Sequence, residues 1–150
     1  MSEKMFDVAK FILAQHGSMS AMKLQKLMYY AQAWHLVWEE VPLFEDDFEA
    51  WANGPVLQRL YAHHRGMFIV DGDTFKDVGT EGCSLVSSGE QKNILKVLKF
   101  YGDKTAQWLS ELTHQEDPWL KARKSVNAQP GDSCDAIISK ASMHEYYSGL

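Results

Sequence analysis

The sequence predicts a mainly α fold, a compact helical domain built around one buried central helix and carrying a small β hairpin or short β element. Three observations predict it. From Leu24 to Trp38 only Gln25, Lys26, Gln32 and His35 are polar, so a helix there is apolar around most of its circumference and belongs inside the fold. On either side of it, apolar residues recur at helical spacing between cap-forming serines, prolines and glycines. Five of the ten glycines fall within residues 66–89, marking one irregular stretch where short apolar pieces suggest extended chain. At 150 residues the chain has the size of one domain with one core, so residues 1–150 are read as a single unit.

The first helix is expected over residues 3–15, with Met5, Val8, Ala9, Ile12 and Leu13 at core spacing and Gly17 where a left-handed cap is needed. Ser20 then caps the central helix, residues 21–38. Leu24, Leu27, Met28, Ala31, Trp34, His35 and Trp38 lie on one side of it, and Tyr29, Tyr30, Ala33 and Val37 cover the other. Val41-Pro42 stops it, because proline lacks an amide hydrogen and disfavours helical geometry in the preceding residue. Gly54-Pro55 reads as a turn into a third helix with Pro55 in its first turn, ending at Gly66. Residues 66–89, with the short apolar pieces Met67 to Val70 and Leu85-Val86, fit a small hairpin or an irregular excursion.

Ser87 with Glu90, or Ser88 with Gln91, forms a capping box for a fourth helix that stops near Gly102. Ile94, Val97, Leu98 and Tyr101 line one face of it and Lys92, Lys96 and Lys99 the other. Asp103 is expected to cap a fifth helix containing Trp108, Leu109 and Leu112, Asp117-Pro118 to open a sixth, and Ser142 with Glu145 to cap a last one.

Fifteen basic and twenty acidic residues leave a formal charge of -5, which gives no general attraction for polyanions and suits a basic partner better. Met1-Ser-Glu-Lys4 lacks the pattern of a signal peptide and the apolar run at Leu24 is too interrupted to span a bilayer. A cytoplasmic protein with no membrane partner is expected. Cys83 and Cys134 stand far apart in no metal-like spacing and read as free thiols. His63-His64, and His114 with Glu116, lack the helical spacing that aims two imidazoles at one ion, so neither metal nor cofactor is assigned. His35 reads as a hydrogen-bonded core histidine, and His63 and His64 as partners of terminal carbonyls.

Gly82-Cys-Ser lacks the second glycine of a nucleophile elbow, and no glycine-rich loop can cradle phosphate. The central helix is too apolar to read base edges. The stripe of Lys92, Lys96 and Lys99 and the cluster of Lys121, Arg123 and Lys124 read as solvated faces, so direct DNA binding is disfavoured. Trp34 is placed in the core. Trp51 and Trp119, beside Gly54-Pro55 and Pro118, have bodies and donors suited to anchoring a partner.

The run Lys23-Leu-Gln-Lys-Leu-Met-Tyr-Tyr30, Trp34-His-Leu36, Pro42-Leu-Phe44, Glu49-Ala-Trp51 and Gly54-Pro-Val56 resembles the Panacea domain, the SocA-like antitoxin family that includes phage-associated GepA-like proteins. The resemblance resumes at Ser87-Ser-Gly-Glu90, Leu112-Thr-His114, Pro118-Trp119 and residues 138–147. It implies an antitoxin of a bacterial or phage-borne pair that neutralises a cognate protein toxin, encoded beside it, by direct binding and without turnover. Tyr29, Tyr30, Trp51, Gly54, Pro55, His114 and Trp119 then form a motif cluster bordering the toxin-contact surface. Two alternatives are weighed against it: a phage-derived metal- or cysteine-dependent enzyme around His63, His64, His114 and Cys83 or Cys134, and a nucleic-acid-binding regulator using the lysine stripe. Monomer and homodimer both stay open.

Overall fold

A computed structural model describes residues 3–150; the reading of Met1 and Ser2 as part of a leaderless start lies outside the described residues. Helix α1 spans Lys4–His16 and ends on Gly17, whose φ of +92° has the positive sign expected but an extended ψ in place of the left-handed helical one. A two-residue strand β1, Met19–Ser20, leads into α2, Ala21–Glu39, with Ser20 Oγ accepting from Lys23 N–H at 3.1 Å. The helix closes on Glu40, which takes the left-handed conformation, just before Val41-Pro42. Helix α2 packs against α1 and against helices and strands from the rest of the chain, as its all-round apolar surface requires.

After a coil held to α2, strand β2, Phe48–Trp51, turns through Ala52-Asn53 into β3, Gly54–Leu57, in antiparallel register Phe48↔Leu57 to Trp51↔Gly54. Helix α3 begins only at Gln58 and runs to His64. The expected turn into a helix at Gly54-Pro55 is therefore corrected to an edge strand, where proline's missing N–H costs no ladder bond. Strand β4, Ile69–Val70, pairs with β1 (Met19↔Val70), while residues 72–86 form two 3-10 turns, Gly72–Phe75 and Glu81–Cys83. Of the small hairpin or irregular excursion expected of residues 66–89, the structure takes the excursion, with one short pairing to a distant partner and Leu85-Val86 in no strand.

Helix α4, Ser88–Tyr101, starts from the Ser87–Glu90 capping box. Helix α5, Ala106–Thr113, is capped by Thr105 and not by Asp103, which is exposed. Helix α6, Asp117–Lys124, carries Pro118 in its first turn. Strand β5, Ile137–Ile138, adds to β2 (Phe48↔Ile138, Glu49↔Ile137), giving a three-stranded antiparallel sheet in the order β3-β2-β5. The last helix α7, Lys140–Ser148, is capped by Ser139, so the expected Ser142–Glu145 box lies one turn too far along.

Helices α4, α5 and α7 and strand β3 surround α2, and one cluster of buried side chains runs from Met5 to Tyr147. Trp34 sits half-buried at its margin and donates Nε1–H to Tyr101 Oη at 2.9 Å. Trp38, expected on a packed side, is exposed, because the final turn of α2 carries it to the rim, where Lys96 covers its ring at 5.2 Å. No helix among the described residues is long and apolar enough to cross a membrane.

Candidate partner-binding groove

Gln25 and Gln32, two turns apart and so on the same side of α2, each grip extended backbone as a neighbouring strand would. Gln25 Oε1 accepts from Leu57 N–H at 2.8 Å while its Nε2 donates to Leu57 C=O at 3.3 Å. Gln32 Oε1 accepts from Leu43 N–H and its Nε2 donates to Phe44 C=O, both at 2.7 Å. Both side chains are fully buried, and they satisfy backbone groups that would otherwise stand unpaired inside the protein.

Lys26 lies beside Gln25, equally buried, with Nζ donating to Pro55 C=O at 3.2 Å. Burial lowers its ammonium pKa to about 7, because a low-dielectric site disfavours the charged form. Gly54 covers the lysine stem: a Cβ there would stand 2.5 Å from Lys26 Cε, and its φ of +121° suits glycine alone. The Gly54-Pro55 pair is thus a lid over a buried lysine. Ser110 Oγ donates to Asn53 C=O at 2.5 Å, tying α5 to the hairpin turn.

On α6, Trp119 Nε1–H donates to Trp51 C=O at 2.8 Å. Arg123 donates to the carbonyls of Ala50 (2.9 Å), Gln129 and Asp132 (2.8 Å each). The buried guanidinium thereby fastens β2 to the segment that returns as β5. His114 stacks on Trp119 with centroids 4.1 Å apart, and the Arg123 guanidinium stands 5.0 Å from the Trp119 ring.

Strand β2 points Phe48 and Ala50 into the core and leaves Glu49 and Trp51 half-buried on its other face. That face opens into a groove of about 830 Å³ whose lining includes Glu49, Trp51, Asn53, Tyr61, Cys134 and Asp135. Trp51 and Tyr61 meet edge to face, centroids 4.9 Å apart, and Trp51 Nε1–H donates to Glu49 Oε1 at 2.8 Å. The indole is fixed by its strand, its neighbour and its own hydrogen bond, which suits an anchor that must not lose much entropy on binding.

The seven motif residues fall into different layers. Trp51 lines the groove. Gly54, Pro55 and Trp119 lie buried behind it, and His114, half-buried, backs Trp119. Burial, with the charges of Lys26 and Arg123, lowers the His114 pKa, and its Nε2 is buried with no hydrogen-bond partner among the described residues. Tyr29 and Tyr30, expected to border a contact surface, are 0% exposed and give a partner nothing to touch. Tyr30 Oη donates to Glu116 Oε1 at 2.6 Å and Tyr147 Oη donates to the same atom at 2.7 Å. Burial raises the Glu116 pKa against those two hydrogen bonds.

The remaining candidates resolve singly. His35 Nδ1 lies 3.3 Å from Asn93 Nδ2, in the core as expected. His64 is buried, its pKa is lowered by burial against a hydrogen bond to its own backbone at the end of α3, and Nε2 accepts from Gln25 Nε2 at 2.9 Å. His63 meets the Phe6 ring edge-on. Cys83 and Cys134 are free thiols, and no three of His, Cys, Asp and Glu converge to hold a metal among the described residues. Lys92, Lys96 and Lys99 are exposed along α4, whereas Arg123, grouped with Lys121 and Lys124 as a surface cluster, is buried. Sequence reasoning missed Glu49, Tyr61 and Asp135 in the groove and Lys26, Gln25 and Arg123 beneath it. Polar residues on the apolar face of α2 were the available signal for two of them.

Compared with known proteins, residues 24–120 match the family model described as antitoxin SocA-like, Panacea domain. Neither a curated protein nor a solved structure matches the chain.

Proposed function

The chain belongs to the antitoxin SocA-like, Panacea domain family, and from that premise we propose that it neutralises a cognate protein toxin by holding it in a stoichiometric complex, without turnover. The toxin is the product of a neighbouring reading frame, and the complex forms in the cytoplasm. The observation that supports this reading is the way the family's motif residues are spent. Gln25, Lys26, Gly54, Pro55 and Trp119 lie under or behind one hairpin, and Trp51, with Glu49 beside it, is left facing an open groove. Such a constellation supports the reading of a positioned contact surface.

Aromatic anchors in partly enclosed seats carry much of the energy of protein interfaces. Trp51 is accordingly placed at the centre of the toxin contact, with Trp119 acting through the Trp51 carbonyl it holds. The test is growth after inducing the neighbouring frame with and without this chain, followed by calorimetry on the purified pair. Trp51→Ala, its fold checked by circular dichroism, is expected to weaken binding by at least about tenfold, the loss of one anchor contact. Unchanged affinity in folded Trp51→Ala would remove the groove from the interface.

A further inference from the structure

The groove has a definite charge. Its lining holds two ionisable acids, Glu49 and Asp135, and no Lys or Arg. Glu49 precedes Trp51 by two positions on β2, so both side chains stand on the same face. Extending the register of β2 and β5 (Glu49↔Ile137), which the hydrogen bond from Ala50 N–H to Ala136 C=O at 2.8 Å continues, places Asp135 opposite Trp51. The indole is therefore flanked by a carboxylate along its own strand and by another across from it. Glu49 Oε1 is engaged by the Trp51 indole, and its Oε2 accepts no hydrogen bond from any described residue.

An electron-rich indole face between carboxylates is the seat of a cation carried on a flat or slender stem, guanidinium best of all. A second aromatic groove, lined by Trp34, Trp38, Lys96, Phe100 and Tyr101 among others, carries the opposite sign: its side chain charged at neutral pH is Lys96, laid over Trp38. The two grooves thus differ in the sign of the charge on their linings, and the formal charge of -5 on the whole chain favours the approach of a basic partner.

We infer that the Trp51 groove takes a basic segment of the toxin, an arginine side chain lying on the Trp51 indole and pairing with Glu49 and Asp135. This rests on the antitoxin reading for the identity of the partner, but its chemistry is testable without the toxin. The probe is acetylated, amidated hexa-arginine, titrated into the full chain while the Trp51 indole N–H resonance is followed by NMR.

Hexa-arginine is expected to shift that resonance saturably at low salt and to lose at least about tenfold in affinity on raising salt to screening concentrations. Hexa-glutamate is expected to leave it in place. The double variant Glu49→Gln with Asp135→Asn keeps an acceptor for the indole N–H while removing both charges, and should abolish the hexa-arginine shift. The control Lys92→Gln with Lys96→Gln should not change it. A shift that survives the double neutralisation, a response centred on Phe100 and Trp38, or displacement of Trp51 by hexa-glutamate or by a single-stranded oligonucleotide would overturn the inference.

With the toxin in hand, the double-neutral variant is expected to bind it at least about tenfold more weakly than the parent. If the parent binds the toxin and the double-neutral variant binds it as tightly, the groove chemistry is wrong and the antitoxin reading stands. If hexa-arginine seats on Trp51 while the parent neither binds nor relieves the neighbouring product, the antitoxin reading fails and the groove chemistry stands.

Discussion

The hairpin at residues 48–57 and the excursion at residues 72–86 are both non-α-helical chain stapled to a helix by polar side chains, yet the staples differ in kind. Helix α2 holds the hairpin and the coil before it with neutral amides, Gln25 and Gln32, plus the single donor bond of Lys26. Helix α1 holds the excursion with charges. Asp7, fully buried, accepts from Thr80 N–H at 2.6 Å, Thr80 Oγ1 at 2.5 Å and Leu85 N–H at 3.0 Å. Lys10 Nζ donates to the carbonyls of Val78 and Thr80, 2.8 Å each. The hairpin also owns a β ladder on both sides of β2, so its amides supplement a structure that stands partly by itself. The excursion has no strand between β4 and α4, and its hydrogen bonds to α1 carry what a ladder carries elsewhere.

That difference predicts unequal consequences. Removing Asp7 leaves two backbone amides and a hydroxyl unpaired at once, and charge-assisted bonds are the stronger kind. Asp7→Ala is expected to cost about 3–4 kcal/mol in urea unfolding and to raise amide exchange at Thr80 and Leu85. Gln32→Ala frees one donor and one acceptor in a coil beside the sheet, and about 1–2 kcal/mol is expected, with exchange rising at Leu43 alone. A larger loss for Gln32→Ala than for Asp7→Ala would break the comparison.

How much of this the sequence disclosed follows from what periodicity can report. The hydrophobic run marking α2 as central, the serine caps at Ser20 and Ser87 and the Pro118 start of α6 are local signals, and each has its expected place. The strand at Gly54–Leu57 was hidden because Gly54-Pro55 carries the local signature of a helix entry, and the bonds that make it a strand come from β2 across a two-residue turn and from Gln25, far back along the chain. In residues 66–89 the glycines disclosed the irregularity but not the pairing partner of Ile69-Val70, which is Met19–Ser20. The groove was legible only through Trp51. Glu49 belongs to it through the i, i+2 spacing of the Glu49-Ala-Trp51 motif once that segment is a strand, whereas Asp135 belongs to it by register between strands distant in sequence, which no motif spacing encodes.

Gly54→Ala sharpens the account of the hairpin by asking what the lid over Lys26 is for. An alanine there must adopt a φ near +121° and push its Cβ onto Lys26 Cε. A destabilisation of about 1–3 kcal/mol is expected from the backbone strain, with the steric part relieved in the double variant that also carries Lys26→Ala. Equal losses with and without that second change would assign the whole penalty to the backbone. Pro55→Ala should be milder, since β3 is an edge strand and Pro55 contributes its carbonyl, which alanine retains.

The smallest expected effect at neutral pH belongs to Lys26 itself, and its pH dependence separates it from every other staple. The ordinary lysine pKa is 10.5 and burial brings it to about 7 in the folded chain. Between those values the unfolded chain holds a proton that the folded chain has released, so stability rises with pH across the window and is flat with respect to this group below it. Lys26→Met fills the space under Gly54, gives up the bond to Pro55 C=O and removes a buried amine. These changes oppose one another, so at pH 7 the variant should lie within about 1 kcal/mol of the parent. From pH 7 to about 9.5, below the ordinary tyrosine pKa near 10, the parent should gain stability in urea unfolding and the variant should not. The upper bound matters because burial raises the pKa values of Tyr29, Tyr30 and Tyr147. Those tyrosines therefore oppose folding as pH climbs past 10 and would mask the lysine. A rise of equal slope in Lys26→Met would assign the effect to another group and leave Lys26 as a donor that stays charged over the whole range.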